Sequence, residues 1–467
     1  MKDYKQIFKG KKITVMGLGI LGRGLGYTKF LAECGAELIV TDLKTKEQLK
    51  ASVEAIKNYE LRIKNKNSKK IKFVLGEHRL EDFRGRDMII KAAGVPLDSI
   101  YIEEAKKNGI PIEMDVSLFI KSAPKIKVVG VTGTRGKSMT TMLIYHILKD
   151  NLKNKQIFLG GNIRGVSTLP FLKKVKEGDV LVCELDSWQL QGFGDSKMSP
   201  NISVFTTFMP DHMNYYKNSM EKYFDDKANI FKYQNKEDIF ITSKEIKNNI
   251  KSKINGHLIL ADKKEVKDYD FIVPGEHQKQ NLSYAVAVAK EFGIPEAKIK
   301  KSVKGFKGVE GRLQLLRIYK GIKIYNDNNA TTPEATIAGL EALKIPEALL
   351  MESTHKQGFW TKRNTILICG GADKNLDLNN FVKTVNKNCK AVVMLKGSGT
   401  EKLLSSKQKV ACSKVVVDDL KEAVKNSLGL ASRGNTILFS PAFASFGMFN
   451  NEYERNDLFI KIIKKLK

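Results

Sequence analysis

Cysteine is scarce in this sequence, and the five residues that occur lie far apart without any C-x-x-C pair. This spacing excludes the usual cysteine zinc sites and the dense disulfide frameworks of small secreted proteins. Long apolar runs are also missing, because no stretch approaches the ~20 residues that a membrane-spanning helix needs. The charged start, residues 1–10, lacks the pattern of a signal peptide. We therefore expect a cytoplasmic protein that does not insert into a membrane.

Acidic residues are few relative to basic ones, with 51 Asp and Glu against 80 Lys and Arg and a net charge of +29. Such an imbalance raises the possibility of a polyanionic partner. Much of the excess lies in the lysine-rich segments Ile63–Lys72 and Lys244–Lys253, which contain no aromatic residues. We interpret them as solvated basic surface and expect no specific nucleic acid. A basic nucleic-acid-binding ATPase stays an alternative that rests on charge alone. Phosphorylated small substrates are another class of ligand that the positive charge would favour.

Short β-branched runs alternate with longer helical patterns along the 467 residues, which is typical of parallel sheets covered by helices. Three sets of such runs follow one another. The runs are ITVM, ELIVT and DMIIKAA; then IKVVGV, DVLVCEL, ISVFTT and DIFIT; then IKIYN, TILICGG, AVVMLKG and TILFSPA. The length also exceeds that of one compact core. The sequence predicts three α/β domains, at residues 1–121, 122–308 and 309–467, of which the middle one is a P-loop type domain and the outer two are Rossmann-like.

A phosphate-binding loop is predicted at GVTGTRGKS, residues 130–138, directly after a strand and before a helical pattern. Glycines there allow backbone N–H groups to point at phosphate oxygens, and the helix N-terminus favours negative charge. Lys137 would neutralise phosphate charge, and the Ser138 hydroxyl would hold Mg²⁺. The spacing departs from the strict G-x-x-x-x-G-K-[ST] motif, because Val131 occupies the position of the first glycine.

A second glycine-rich loop, GLGILG, follows the strand ITVM and contains Gly17, Gly19 and Gly22. Asp42 ends the next strand 20 residues after the last of these glycines. This is the dinucleotide fingerprint in its expected context, in which the acid binds a ribose hydroxyl. By itself the motif favours a nicotinamide cofactor. Together with the phosphate loop farther along, it also suits a nucleotide that forms part of the substrate.

Five motifs in the middle of the chain resemble those of the Mur ligases, in the order of that family. They are GVTGTRGKSMTT, GGNIRG, CELDSWQL, PDHMNYY and DDKANIF, between residues 130 and 231. The resemblance covers essentially the whole chain. It implies an ATP- and Mg²⁺-dependent ligase of three domains, which phosphorylates a carboxylate and lets an amine attack the acyl phosphate. Arg135 and Met139 depart from the usual phosphate loop of the family.

The resemblance also implies the roles of particular residues. Glu184, His212 and Ser138 would bind Mg²⁺, and Lys227 would join them after carbamylation by CO₂, which requires an uncharged amine. Asn162 would position the phosphates and the substrate. The implied ATP contacts are Gly133, Thr134, Gly136, Lys137, Ser138, Asn281, Arg312 and Asp327. The catalytic set is Lys137, Lys227, His212 and Asn162.

The two substrates are assigned to the outer domains by the same resemblance. It favours UDP-N-acetylmuramoyl-L-alanine and D-glutamate, in peptidoglycan precursor synthesis, for a protein that we expect to be a monomer. The implied contacts of the uridine diphosphate substrate are Gly17, Gly19, Ile20, Leu21, Asp42, Lys44 and Gly94. Those of D-glutamate are Thr331, Lys374, Ser445 and Phe449. Asn329 departs from the family, which has a lysine at this position.

Two related functions remain alternatives at this point. A sister Mur ligase or a folylpolyglutamate synthase-like ligase would share the ATP machinery and take other substrates. Folylpolyglutamate synthases lack the glycine fingerprint of the first domain, so that Gly17–Gly22 counts against them. The segment 355–363, which contains Trp360, is predicted to be a surface loop, with a lid as the alternative.

Overall fold

The computed structural model describes residues 4–62, 71–250, 253–344 and 363–466. The chain divides into two compact units, one formed by Met1–Asp268 with Gln280–Ser302 and the other by Tyr269–Lys279 with Val303–Lys467. Within these described residues, the first unit contains two β-sheets and the second contains one. The predicted surface loop at residues 355–363 lies outside the described residues, except for Arg363.

The first sheet of unit one is parallel, with the strand order β3-β2-β1-β4-β5. Its strands are β1 (Lys12–Met16), β2 (Glu37–Asp42), β3 (Lys72–Leu75), β4 (Met88–Lys91) and β5 (Ile112–Glu113). The accompanying helices are α1 (Tyr4–Phe8), α2 (Arg23–Glu33), α3 (Lys50–Arg62), α4 (Ile100–Lys107) and α5 (Asp115–Ser122), with a 3₁₀ turn at Leu80–Phe83. The central strands are buried almost throughout, as expected for a parallel sheet covered on both faces.

The second sheet of unit one is also parallel, in the order β11-β10-β9-β6-β8-β7. Its strands are β6 (Lys127–Thr132), β7 (Ile157–Gly161), β8 (Val180–Glu184), β9 (Ile202–Phe205), β10 (Ile239–Thr242) and β11 (His257–Leu260). The helices of this stretch are α6 (Lys137–Asn151), α7 (Ser187–Asp195), α8 (Met220–Ala228), α9 (Lys244–Asn249), α10 (Glu276–Glu291) and α11 (Glu296–Gly305), with 3₁₀ turns at Leu169–Lys173 and Lys263–Val266. The carboxyl ends of β6, β7, β8 and β9 therefore meet at one edge, where open α/β sheets bind ligands.

Unit two contains a mixed sheet in the order β12-β13-β17-β14-β15-β16. Its strands are β12 (Gln314–Tyr319), β13 (Ile322–Asn326), β14 (Thr365–Gly370), β15 (Cys389–Leu395), β16 (Ser413–Val417) and β17 (Thr436–Phe439). The helices are α12 (Pro333–Ala342), α13 (Asn379–Asn388), α14 (Ser398–Ser405), α15 (Leu420–Leu430) and α16 (Glu452–Lys464). Only the pairing of β12 with β13 is antiparallel, among the strands that the structure describes, and it is interrupted by an irregularity between Leu315 and Arg317.

Every cysteine of the chain is buried, and none of the five forms a disulfide. Cys34 and Cys183 belong to the core of unit one, and Cys369, Cys389 and Cys412 belong to that of unit two. Burial raises the pKa of the Cys369 thiol to about 12. These thiols act as small apolar side chains of the cores.

The predicted fold class is confirmed, because an α/β sheet that is parallel or mostly parallel occurs in each of the three predicted ranges. The proposed boundaries near residues 121 and 308 stay predictions. Within the described ranges, no helix combines the length and the apolar character that crossing a membrane requires.

Candidate active site

The phosphate loop lies between the buried strand β6 and helix α6, as the sequence predicts. Gly133 and Gly136 have φ of +141° and +87°, a region that favours glycine. A Cβ on Gly133 would lie 2.1 Å from Thr206 Oγ1, and one on Gly136 would lie 2.4 Å from Asn281 Oδ1. The loop therefore needs glycine at both positions, for conformation and for space.

Two lysine side chains meet at one carbonyl oxygen of this loop. Lys137 Nζ donates to Gly133 O at 2.9 Å and to Thr134 O at 3.0 Å. Lys227 Nζ, from helix α8, also donates to Gly133 O at 2.9 Å. The sequence predicts Lys137 at the phosphates, and the family resemblance implies Lys227 at the Mg²⁺ site. The structure brings the two lysines together although they are 90 positions apart. An ammonium group at this glycine loop, here that of Lys137, favours the binding of a polyanion.

Lys227 is 1% exposed, which is rare for a lysine. Its ammonium lies over the Tyr223 ring, 4.8 Å from the ring centroid. Within the described part of the chain it forms no ion pair, so that its charge is poorly compensated. Burial and the neighbouring Lys137 lower the pKa of Lys227 well below its ordinary value. A neutral amine at this position can react with CO₂, whereas an ammonium cannot.

The predicted metal ligand Glu184 ends strand β8 and is 4% exposed. Its backbone pairs in register with Val131 of β6 and Gly161 of β7, which places the carboxylate at the ligand-binding edge of the sheet. Asn162 follows β7, and its backbone N–H donates to Glu184 O at 2.7 Å. Glu184 and Asn162 are therefore neighbours, as the prediction requires.

The predicted donors suit Mg²⁺ by their chemistry, because hydroxyl and carboxylate oxygens are hard ligands and substrate phosphates would complete the shell. Among the described residues, no three His, Cys, Asp or Glu side chains lie close enough together to hold a metal unaided. A site made of Ser138, Glu184, His212 and a carbamylated Lys227 would thus depend on the lysine carboxylate and on the nucleotide.

His212 lies in the loop before α8 and has φ of 55°, an unusual conformation for a residue other than glycine. Its ring lies 4.6 Å from the Trp188 ring. Burial lowers the pKa of His212, and Lys137 and Lys227 lower it further, although Asp211 opposes them. The lowered pKa favours the neutral imidazole, which is the form that binds metals.

Arg135, which departs from the family motif, forms an ion pair with Asp211 at 3.4 Å. Its backbone N–H donates to Thr207 Oγ1 at 2.8 Å, and Thr207 Oγ1 donates to Arg135 O at 3.0 Å. The arginine thus ties the phosphate loop to the residue before His212. Sequence reasoning left its role open.

Asn281 lies on helix α10 and is 5% exposed. Its Oδ1 accepts from Thr140 Oγ1 at 3.4 Å, and its place beside Gly136 sets it against the phosphate loop. The structure therefore brings this predicted nucleotide contact to the loop within unit one.

The glycine fingerprint of the first sheet is organised by Asp42. Its carboxylate accepts from Gly19 N at 2.8 Å and from Lys44 N at 2.9 Å, which fixes the loops after β1 and β2. Gly17 has φ of +93°, and a Cβ there would lie 2.7 Å from Ala92 Cβ. The Asp42 carboxylate already accepts hydrogen bonds from the protein backbone, and its binding of a ribose stays a prediction.

The side chains of Ile20 and Leu21 are almost half exposed beside this loop, at 46% and 47%. Leu21 O accepts from Gly165 N at 3.1 Å, and Arg23 Nη2 donates to Asn162 Oδ1 at 2.9 Å. Exposed apolar side chains next to a glycine loop suit a stacking or sugar-binding role. Gly94, another predicted contact, is exposed in the turn after β4.

In unit two, the predicted ribose acid Asp327 lies directly after β13 and is nearly buried. Its carboxylate accepts from Leu313 N at 3.0 Å and from Ser440 Oγ at 2.9 Å. Burial raises the pKa of Asp327 to about 7. Arg312 precedes Leu313 and is partly exposed. Their contacts with ATP stay predictions.

Two predicted D-glutamate contacts are joined by a hydrogen bond, because Lys374 Nζ donates to Thr331 Oγ1 at 3.0 Å. Ser445 is buried in the loop after β17, and Ser445 O accepts from Phe449 N at 3.2 Å. The Phe449 side chain packs against the core of unit two. The structure therefore gives Lys374 and Thr331 a shared location, whereas Phe449 has a packing role in it.

Arg455 is a central residue that sequence reasoning missed. It is 1% exposed on helix α16 and donates to Asn328 Oδ1 at 2.8 Å, Asn328 O at 3.1 Å and Phe443 O at 3.4 Å. Asn328 Nδ2 in turn donates to Asn329 Oδ1 at 3.2 Å. A buried cation therefore holds the two loops that carry the predicted amino-acid contacts. The only sequence signal was a charged residue within an amphipathic helix.

The geometry defines a chain of three α/β sheets with a phosphate loop in its middle sheet. Residues 131–269 match the model of the Mur ligase middle domain. The chain is 32% identical to the UDP-N-acetylmuramoylalanine–D-glutamate ligase of Roseiflexus sp. (strain RS-1), over 97% of this chain and 98% of that protein. It is 33% identical to the enzyme of the same name from Borreliella afzelii (strain PKo), over 98% of each.

The chain therefore belongs to the Mur ligase family, and the resemblance found in the sequence is confirmed. Within that family, these two full-length relatives carry the name UDP-N-acetylmuramoylalanine–D-glutamate ligase.

Solved structures agree in fold. The UDP-N-acetylmuramate-alanine ligase MurC of Thermotoga maritima aligns with 98% of this chain and 100% of its own, at a TM-score of 0.57 and 20% identity. The MurF ligase of Thermotoga maritima in complex with ADP aligns over 100% of both chains, at a TM-score of 0.56 and 17% identity. At these identities the likeness concerns the fold.

Proposed function

We propose that this chain uses ATP to join D-glutamate to UDP-N-acetylmuramoyl-L-alanine, a step in peptidoglycan precursor synthesis. The observation that carries the proposal is the meeting of Lys137 and Lys227 at Gly133 O, on a glycine-dependent loop at the edge of a parallel sheet. The names of the full-length relatives and the ADP complex of MurF support the choice of reactants.

The reaction needs concentrated positive charge, because a carboxylate must approach the γ-phosphate of ATP. The carboxylate oxygen attacks phosphorus, ADP leaves, and the resulting acyl phosphate carries a good leaving group. The amine of D-glutamate then attacks the carbonyl carbon, loses a proton, and expels inorganic phosphate. Lys137 would hold the phosphate charge in both steps, and bound Mg²⁺ would add Lewis-acid stabilisation at the phosphates.

Lys227 is proposed to act as a carbamate. Its neutral amine would attack CO₂ and release one proton, which converts an uncharged amine into a negatively charged carbamate. The burial of Lys227, its depressed pKa and its lack of an acidic partner among the described residues support this role. A negative group is what a second hard cation would require at this position.

Specificity for D-glutamate is proposed to reside in unit two. Lys374 and Thr331 share a hydrogen bond, and Ser445 lies in the neighbouring loop held by Arg455 through Phe443 O. A lysine that faces a substrate carboxylate favours acidic over neutral amino acids. Asn329 provides no charge, so that Lys374 would be the cation that binds the substrate carboxylate in this region.

The test is phosphate release from ATP with UDP-N-acetylmuramoyl-L-alanine, Mg²⁺ and bicarbonate, across a panel of amino acids. We expect release with D-glutamate and little with L-glutamate, L-alanine, diaminopimelate or D-Ala-D-Ala. Product formation would be followed by mass spectrometry, which separates ligation from idle ATP hydrolysis. No phosphate release with any amino acid would refute the proposal, and preference for another amino acid would indicate a sister ligase.

Lys227→Ala should abolish ligation, and added short carboxylates such as acetate or formate should restore part of it by replacing the carbamate. Lys222→Ala is the matched control, because Lys222 is an exposed lysine on the same helix. It should keep wild-type activity within about two-fold, as expected for a surface substitution. Full activity of Lys227→Ala would contradict the carbamate role.

A further inference from the structure

Lys91 is the last residue of strand β4 and is 2% exposed, in a position where a parallel strand normally has an apolar side chain. Its ammonium donates to Val95 O at 2.9 Å and to Gln191 Oε1 at 3.3 Å. Burial lowers the pKa of Lys91 to about 8, and three aspartates, Asp195, Asp186 and Asp226, oppose this effect. Burying a lysine is costly unless its donors are satisfied, so that these contacts explain how it is tolerated.

Gln191, on helix α7, uses both ends of its amide. Its oxygen accepts from Lys91, while its Nε2 donates to Asp226 Oδ2 at 2.8 Å and to Tyr215 OH at 3.0 Å. Tyr216 OH donates to the same oxygen of Asp226 at 2.9 Å. A Gln amide has two N–H donors, and both are used here. The five side chains form one connected polar network, all of it within unit one.

Each end of this network reaches a predicted part of the active site. Lys91 holds the turn that contains Gly94, through Val95 O. Asp226 immediately precedes Lys227 on α8. Tyr215 packs on Trp188 with ring centroids 5.4 Å apart, and Trp188 packs on His212. One connected cluster therefore links the turn of the first sheet with the helix of Lys227 and the loop of His212.

We propose that Lys91, Gln191 and Asp226 are positioning residues, which fix the helix of Lys227 and the loop of His212 relative to the precursor-binding turn at Gly94. The inference rests on the proposed function. This role does not require that they contact substrate or metal. They act through Lys227, His212 and Gly94, and the network makes the alignment of the phosphate site depend on that of the precursor site.

The test compares Lys91→Met with Arg86→Met. Met keeps the length of the side chain and removes the donors. Arg86 is a matched control, because it lies just before the same strand, has a side chain only 7% exposed, and donates to Ile13 O and Glu37 O at 3.1 and 2.9 Å. Both variants lose a buried cation and its carbonyl contacts, whereas only Lys91→Met cuts the network.

We expect Lys91→Met to lower kcat by roughly 10- to 100-fold, the usual cost of losing a residue that orients a ligand. It should also raise the KM for UDP-N-acetylmuramoyl-L-alanine more than the KM for ATP. Under ¹³C-bicarbonate, the carbamate signal of Lys227 should weaken in Lys91→Met and persist in Arg86→Met. Arg86→Met should lose thermal stability to a similar extent and keep both kinetic constants within about two-fold.

Gln191→Met is a second test of the inference, because it breaks the network without removing a charge. This variant must show the same loss in kcat even if Lys91→Met does not fold. The double variant should lose no more than the stronger single one, since both cut the same connection. Equal kinetics of wild type, Gln191→Met and Arg86→Met would overturn the inference. A wild-type protein that ligates no amino acid would instead overturn the proposed function.

Discussion

Replacing Gly136 by alanine tests whether the space beside the phosphate loop, and not only its backbone conformation, is required. A Cβ there would lie 2.4 Å from Asn281 Oδ1, whereas ordinary contacts begin near 3.4 Å. The side chain of Asn281 or the loop must therefore shift by about 1 Å, a displacement that can cost roughly 100-fold in rate at a catalytic site. Asn281 is buried, so that its side chain has little space into which it can move.

Gly178→Ala is the control, because Gly178 has φ of +83° against +87° for Gly136 and no atom within 4 Å of its added Cβ. Both variants carry the conformational cost of a left-handed alanine, about 1–2 kcal/mol. Urea unfolding should therefore show a loss of stability in both variants, which is larger in Gly136→Ala because of the clash with Asn281. Phosphate release measured against ATP concentration should fall about 100-fold in kcat/KM for Gly136→Ala only. Equal kinetics in the two variants would refute the reasoning.

Two predictions concern unit two. Burial raises the pKa of Asp327 to about 7, whereas an unfolded aspartate titrates near ~3.9, so that stability should fall as pH rises from about 4 to about 7. Asp327→Asn should reduce this dependence of stability on pH, which thermal unfolding at about pH 4 and about pH 7 would measure. If the difference in stability between the two pH values is unchanged in the variant, another group causes it. Arg455→Met should lower the free energy of unfolding in urea by roughly 3 kcal/mol, because buried oxygen atoms of Asn328 and Phe443 lose the guanidinium group that donates hydrogen bonds to them. Arg455→Met should also raise the KM for D-glutamate. Arg433→Met, at an exposed position, should change neither the stability nor this KM. An Arg455→Met variant with wild-type stability and wild-type KM would contradict the prediction.

The strands and the phosphate loop were predictable because their signals are local. The apolar runs at β1, β6, β8 and β9 are buried on both faces, and the glycines of the loop directly precede the helix. Strands without such a run were missed. β5 has two residues, and β12 is antiparallel and only partly buried, with an irregularity in its pairing.

The residues that organise the candidate site were less predictable, because their partners are distant in sequence. Lys91 and Gln191 are 100 positions apart, and Arg455 meets Asn328 across 127 positions. No spacing rule links such pairs. The family resemblance identified Lys227 and Lys374, but the shared carbonyl of Lys137 and Lys227 and the bond from Lys374 to Thr331 follow only from the fold.

The burial of the native thiols has a practical consequence for following this enzyme in solution. Maleimide reagents need an accessible thiolate, and the five cysteines are packed into the cores, where burial raises the pKa of those at positions 183, 369, 389 and 412. A single cysteine introduced at an exposed position, such as Lys197 in one unit or Lys414 in the other, would therefore be labelled selectively in the otherwise unaltered chain. Paired dyes at two such positions would report distance changes during turnover without the removal of any natural residue from the cores.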